Sequence, residues 1–310
     1  MATLDFTTLD VFTKTPFRGN PVAIIHVPKT TALTQAQKQL MAREFNYSET
    51  VFLHEQTPED ASARHARIDI FTTIAEVPFA GHPTVGTASY LAHDARSKAL
   101  FSSSGSDADV DALMTKAGLL PFKPLGDGIQ LSVAHDVRVH DSPFAGNPVY
   151  GHFPVVSIVK GMTFILAQQA DLAALAKSTE NLIGVGNTYK SAHVLDEGYR
   201  VGIICTKFYV DLGVDDQGVR QLRTRMFGSR EDPATGSASS ALCCYLSLNE
   251  GKEGPLVREY QVTQGVEMGR QSDISLRVTL NEARTGIQEV LLSGTAVRVS
   301  EGKMGIPPAA

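Results

Sequence analysis

Glu76-Val77-Pro78-Phe79-Ala80-Gly81-His82 in the first half of the chain is answered by Glu231-Asp232-Pro233-Ala234-Thr235-Gly236-Ser237 in the second. The offset is 155 positions (231 minus 76), half of the 310-residue length. Tyr90-Leu91 returns as Tyr245-Leu246 at the same offset, whereas Arg67 and Phe71 return as Arg223 and Phe227, one position out of step. A one-residue difference in length between otherwise matching segments produces that slip. The chain therefore reads as two copies of one unit, divided near 1–128 and 129–310, with the terminal strand able to return to the first. In each copy an alternating strand leads to a Pro/Gly turn and then to a helix starting at the glycine. That order aims unpaired backbone N–H groups beyond the turn, and two such turns facing each other would grip one small anion.

Composition narrows the function classes. With 43% apolar and 20% charged residues the chain can bury a substantial core. A formal charge of -5 gives no general attraction for nucleic acid or for an anionic membrane surface, so neither is expected as a partner. Arg220, Arg223, Arg225 and Arg230 cluster, but acids flank them and the run reads as a solvated strand face. No stretch has the apolar length of a membrane span, and Met1 to Val11 lacks the pattern of a signal peptide. Three cysteines, Cys205, Cys243 and Cys244, are no disulfide framework, and a reducing cytoplasm is expected.

Along the chain, strands are expected over Leu4–Val11 and Val22–Val27 around the turn Phe17-Arg18-Gly19-Asn20-Pro21, and a helix over Leu33–Phe45 capped by Thr31 or Thr34. A strand follows from Glu49 and another covers Arg67–Phe71; Pro83 suits the first turn of the helix after Gly81. Glu55–Asp60 reads as an exposed loop. In the second unit, strands are expected over Val155–Val159, Met162–Ala167, His193–Val201 and Ile203–Val210, with a short helix over Ala170–Ala176. The closing segments, Ser275–Leu280 and Glu289–Val299, read as a terminal hairpin. Asp107, Asp109 and Asp111 have the initial spacing of a calcium loop, but Ala112 and Gly118 stand where its glycine and glutamate belong, so the stretch reads as a connector. Phe144-Ala145-Gly146-Asn147-Pro148-Val149 echoes Phe17–Val22. The mixed element order argues against a doubly wound parallel sheet.

Three places bring polar groups to the repeated turns: Ser48-Glu49, Gly81-His82, and Asp232 with Gly236-Ser237. Glu49 lies among Phe45, Tyr47, Val51 and Phe52, where burial would raise its pKa toward that of a working general base. His82 and Ser237 occupy equivalent positions after the glycine; helix capping is the structural alternative, stronger for Ser237. Asp232 stands where the other copy has Val77, so one turn is expected to hold a substrate carboxylate while the other supplies an acid.

These residues also carry a family resemblance. Gly19-Asn20-Pro21, Ser48-Glu49-Thr50-Val51-Phe52, Glu76–Thr84 and Glu231–Ala238 resemble the signature of the PhzF (phenazine biosynthesis) isomerases, and Gln264-Gly265 with Gly269-Arg270 resembles a further motif of that family. The resemblance implies an α+β, diaminopimelate epimerase-like fold of two pseudo-symmetric domains, each a mixed curved sheet around a central helix, with the active site in the cleft between them. It implies cofactor-independent proton transfer in a homodimer, on a small carboxylate-bearing substrate, in the name-giving enzyme a dihydro-hydroxyanthranilate. Glu49 resembles the catalytic acid/base, with His82 and Asp232 beside it, and Asn20, Ser48, Gly81, Gly236 and Ser237 resemble substrate contacts.

The alternatives carry less. A two-cysteine racemase would need cysteines at Ala80 and Thr235; Cys243 and Cys244 lie too far down their helix and read as core. Gly184-Val185-Gly186 lacks the third glycine of a dinucleotide fingerprint, and His54-Glu55 lacks the second histidine of a helical zinc motif, so no metal is expected. A binding or regulatory protein that has kept the fold without turnover is the alternative from a different class.

Overall fold

A computed structural model of the protein describes residues 2–94, 97, 110–146, 151–190, 193–250 and 254–308. Asp107 and Asp109 of the calcium-like run, and Asn147 to Val149 of the Phe144 echo, lie outside the described residues. Contacts divide the chain into two units, Met1–Ser132 with Ser293–Ala310, and Val133–Leu292.

In the first unit the strands are β1 (Thr3–Val11), β2 (Asn20–Val27), β3 (Glu49–His54), β4 (His65–Thr72), β5 (Glu76–Val77), β6 (Ala112–Thr115), β7 (Gly118–Leu125) and β8 (Gly128–Ser132). β1 and β2 pair antiparallel, β2 and β3 parallel, β3 and β4 antiparallel, β4 and β6 parallel, and β6, β7 and β8 antiparallel in turn. The helices α1 (Gln35–Phe45), α2 (Pro58–Ser62) and α3 (Gly81–His93) belong to this unit. The sheet curls round α3, which touches β1, β2, β3, β6, β7 and β8. Hence α3 is buried on every side from Gly81 to Leu91, and its small residues let the strands approach. Glycine is required at Gly19, which has φ 67° and whose absent Cβ would lie 2.3 Å from the Val11 carbonyl oxygen.

The second unit contains β9 (Arg138–Val139), β10 (Phe144–Ala145), β11 (His152–Phe153), β12 (Val155–Val159), β13 (Met162–Gln168), β14 (Ile203–Val214), β15 (Arg220–Phe227), β16 (Glu231–Asp232), β17 (Val257–Gln264), β18 (Ser272–Leu280) and β19 (Ile287–Gly294), with α4 (Leu172–Ala176) and α5 (Gly236–Asn249). Pairings from β12 to β18 repeat those of the first unit: antiparallel, parallel, antiparallel, parallel, antiparallel along β12-β13-β14-β15-β17-β18. α5 is the central helix here, against β12, β13, β14, β17 and β18. In both units a two-residue strand folds back before the helix: Phe71 pairs with Glu76, and Phe227 with Glu231. Four residues, Thr72 to Ala75, bridge the first pair and three, Gly228 to Arg230, the second. That turn is where the one-position slip in the repeat arises.

Several expectations need correction. Glu55–Asp60 is not an exposed loop: Thr57 caps α2, and Asp60 is buried against Arg67 Nε (2.9 Å) and His65 Nε2 (3.0 Å). Among the described residues His193–Val201 forms no strand; Leu195 alone of its apolar residues is buried, while Val194 and Val201 stand out in solvent. The terminal hairpin holds only in part: β18 and β19 are neighbours joined through a turn in which the Asn281 N–H donates to the Gly286 carbonyl at 2.9 Å, but the second segment is not one strand. Glu289–Val299 belongs to two strands, β19 and β20 (Ala296–Gly305), and β20 pairs antiparallel with β1 in the first unit. The arginines of β15 are no solvated face, since Arg225 is buried and grips Glu231 at 2.7 and 2.8 Å, and Arg223 pairs with Glu267 at 2.8 Å. Alternation cannot reveal such pairing, because a strand that buries ion pairs and one that solvates charges have the same pattern.

Candidate active site

In the first unit the site begins at the exit of α1. Asn46 caps the helix in the left-handed conformation (φ 52°), donating its N–H to the Ala42 carbonyl at 3.2 Å, and after Tyr47 and Ser48 the chain enters β3 at Glu49. Register sets Glu49 between Val22 of β2 and Thr72 of β4. Its side chain is 18% exposed, largely enclosed but open on one side. Glu49 Oε2 lies 3.2 Å from Nδ1 of His82, in the first turn of α3. Asn20, fully buried, begins β2, and the neighbouring Pro21 takes a hydrogen bond from the His82 ring; proline has no N–H, so its carbonyl is the acceptor. Asn20, Glu49, Gly81 and His82 are thus gathered by β2, β3 and α3, with Ser48 one residue before β3.

Burial decides the charge of His82. Although its distance from Glu49 suits an ion pair, desolvation holds the ring's pKa down to about 3, and it is neutral near pH 7. Because the ring donates to the Pro21 carbonyl and Nε2 has no hydrogen-bond partner among the described residues, the single ring proton belongs on Nδ1. Nε2 is then an acceptor, and it is buried. A buried acceptor left without a hydrogen bond is uncommon in a folded protein.

The second unit builds its turn differently. Asp232, buried in β16, accepts a hydrogen bond on Oδ2 from the Thr235 hydroxyl. Thr235 is the N-cap residue of α5, but its side chain, turned to Asp232, caps nothing; Gly236 and Ser237 follow in the buried first turn. Ser237 is therefore not the cap that its residue type implies. Ala80 likewise precedes α3 without a side-chain cap. By contrast Thr34, Thr57 and Asp171 cap α1, α2 and α4 with their side chains. The two repeated turns alone among these five helices leave their first N–H groups to something other than a cap. Gly265, φ 74°, passes so close that a Cβ there would lie 2.6 Å from the Pro233 carbonyl oxygen.

Lys207 was missed. Its ammonium, fully buried in β14, reaches Ser239 Oγ at 3.0 Å and Gln264 Oε1. The signal was present in Ile203-Ile204-Cys205-Thr206-Lys207-Phe208-Tyr209-Val210, where a lysine is the one charged residue of a largely apolar run. Cys243 and Cys244, expected as core, are fully buried, and burial pushes both thiols up.

A family model for phenazine biosynthesis-like proteins, PhzC-PhzF, matches residues 9–302. The chain belongs to the PhzF family. Within reach of that family it is 29% identical to the trans-2,3-dihydro-3-hydroxyanthranilate isomerase of Pseudomonas aeruginosa, over 96% of this chain and 98% of that one. A crystal structure of a PhzF-family phenazine biosynthesis protein from Bacillus anthracis superposes with a TM-score of 0.70 at 22% identity, covering 99% of this chain and all of the other. A hydroxyproline epimerase from Agrobacterium vitis shares the fold at a TM-score of 0.57 and 15% identity, covering 97% and 92%. The fold is accordingly the α+β, epimerase-like one, and the protein is a PhzF-like isomerase. Among the described residues no helix is long and apolar enough to cross a membrane.

Proposed function

We propose that this isomerase moves a proton between two carbons of a small carboxylate-bearing substrate, a cyclic amino or hydroxy acid, with Glu49 as general acid/base and without a cofactor. The observation that carries the reading is the Glu49–His82 pair: a partly enclosed carboxylate beside a neutral imidazole whose Nε2 has no partner among the described residues. In the forward step the C–H electron pair stays on the substrate as its double bond shifts, and the proton passes to Glu49; in the return step Glu49 delivers that proton to another carbon. His82 Nε2 accepts from the substrate's amino or hydroxyl group. The uncapped N-terminus of α3, beside Glu49, favours the negative charge that develops as the proton leaves. Asp232, Gly236, Ser237, Asn20, Ser48 and Gly81 are proposed as substrate contacts on the strength of the family motifs that they match.

Support comes also from the 29% identical Pseudomonas aeruginosa relative, named for isomerising a dihydro-hydroxyanthranilate. Free, buried cysteines suit a reducing cytoplasm, and a homodimer, which light scattering would detect, completes the reading. The test is incubation with candidate cyclic and allylic amino and hydroxy acids in deuterated water. Deuterium in the recovered compound is expected from the wild type and not from Glu49→Gln. Undiminished exchange in that variant would remove Glu49 from the role, and tight binding without exchange in either protein would favour a binding module.

A further inference from the structure

Gln264 ends β17 with its side-chain amide buried between two groups that each dictate its orientation. On one side stands the Lys207 ammonium, which can only donate, so the amide oxygen must face it. On the other is the Asp232 carbonyl, which can only accept, and Gln264 Nε2 donates to it at 2.7 Å. Both ends demand the same flip. Nε2 also reaches Thr235 Oγ1 at 3.3 Å, and the Thr235 hydroxyl, its lone pair engaged there, points its own proton at Asp232 Oδ2. Two longer contacts, from Thr224 Oγ1 and the Thr235 N–H, both at 3.4 Å, fall on the same amide oxygen and reinforce that orientation. The side-chain hydrogen bonds along Lys207, Gln264, Thr235 and Asp232 run one way, from the lysine to the aspartate.

We propose that Lys207 is a positioning residue for Asp232, acting through Gln264 and Thr235 to aim a hydroxyl proton at the aspartate and keep its carboxylate ionised and fixed in one orientation. The inference rests on the reading of Asp232 as a site residue. Lys207 lies in a strand between Leu166 and Met226, both buried and apolar, and the hydrogen bonds of its ammonium among the described residues go to Ser239 and Gln264. The titratable groups that face it are Asp232 and Cys243. Burial brings the lysine's pKa down to about 7, so its charge is itself adjustable near neutrality.

The test reads the Asp232 carboxyl directly, by NMR titration of protein carrying labelled aspartate, so it does not depend on turnover; absence of substrate exchange would count against the isomerase and leave this readout untouched. Lys207→Met and Gln264→Met are each expected to raise the Asp232 midpoint by about one unit, the scale of a lost hydrogen bond to a charged group. The double variant is expected to shift no further than either single one, because both break one series. Ser239→Ala, which loosens the lysine without touching the series, is expected to leave Asp232 unmoved. Additive shifts would mean that Lys207 acts through space, and no shift in the single variants would mean that it does not act on Asp232; either overturns the proposal. Should Lys207→Met fail to fold, the Gln264 side-chain amide signals of the wild type are expected to follow the lysine's titration near pH 7, and flat signals would overturn the proposal equally.

Discussion

Glu49 Oε2 and His82 Nδ1 stand 3.2 Å apart, one at the first position of a strand and the other in the first turn of the central helix of the same unit. Two backbone elements that are themselves core hold this pair, so its geometry is insensitive to loop motion. Moving the carboxylate without removing it is therefore informative. Glu49→Asp retracts the acid by one methylene, and deuterium exchange is expected to fall by roughly 10–100-fold, the scale of a displacement of about 1 Å from the reacting carbon. Exchange at the wild-type rate in Glu49→Asp would count against direct proton transfer by this residue.

His82 also gives the protein an acid limit. Its pKa in the folded chain is about 3, against an ordinary 6.5. The stability due to its neutral burial is thus complete above pH 6.5 and is lost as pH falls from there toward 3, by an amount on the order of 4 kcal/mol. His140, also lowered by burial, contributes to the same window, so the readout is the difference between wild type and His82→Gln. Urea unfolding at pH 7, 5 and 4 is expected to show the wild type losing ground to the variant at each step; parallel curves would mean that His82 is not buried neutral.

Lys207 has the opposite consequence. Between about pH 7 and 10.5 the unfolded chain holds a proton on this side chain that the folded chain has released. Stability from this group therefore rises with pH through that window, by on the order of 4 kcal/mol in all. Lys207→Met is expected to flatten the rise, as measured by denaturant midpoints at pH 6.5, 8 and 9.5. An equal slope in wild type and variant would show that the lysine stays protonated.

Arg225 is a structural counterpart. Its guanidinium donates two bonds to Glu231 and one to the Ala176 carbonyl at 2.8 Å, tying β15, β16 and α4 together. Arg225→Met leaves the Glu231 carboxylate without this partner in a mostly enclosed place, and a loss of about 3 kcal/mol is expected. Replacing both residues, with Arg225→Met and Glu231→Leu together, is expected to recover part of it, and chemical denaturation of the two variants checks this.

The duplication was legible because a Pro/Gly turn before a helix constrains residue identity position by position. Strands with an apolar run, such as β12 and β13, were legible for the same physical reason, since burial on both faces selects apolar residues, apart from the Ser157 and Thr163 hydroxyls that bond each other at 2.7 Å. The Glu49–His82 meeting was readable as two separate candidates; their contact depends on the parallel pairing of β2 and β3, which no local pattern encodes. Lys207, Gln264 and Thr235 were illegible as a group because, whatever signal each carries alone, only the fold brings β14, β17 and the cap of α5 together. Thr57 and Asp60 form a capping box that local reading could have found.

The strand Ala296–Gly305 pairs along nearly its whole length with Thr3–Val11. Thr3–Val11 thus leaves the ribosome long before the strand that it pairs with, while Val133 to Leu292, made in between, is already available to collapse by itself. Synthesis order and completion order are inverted, and until Ala296–Gly305 emerges the sheet of the first unit carries an open flank that invites the wrong partner. A nascent chain stalled just short of residue 296 is expected to protect the later-made unit from protease and leave the earlier-made one open to cleavage.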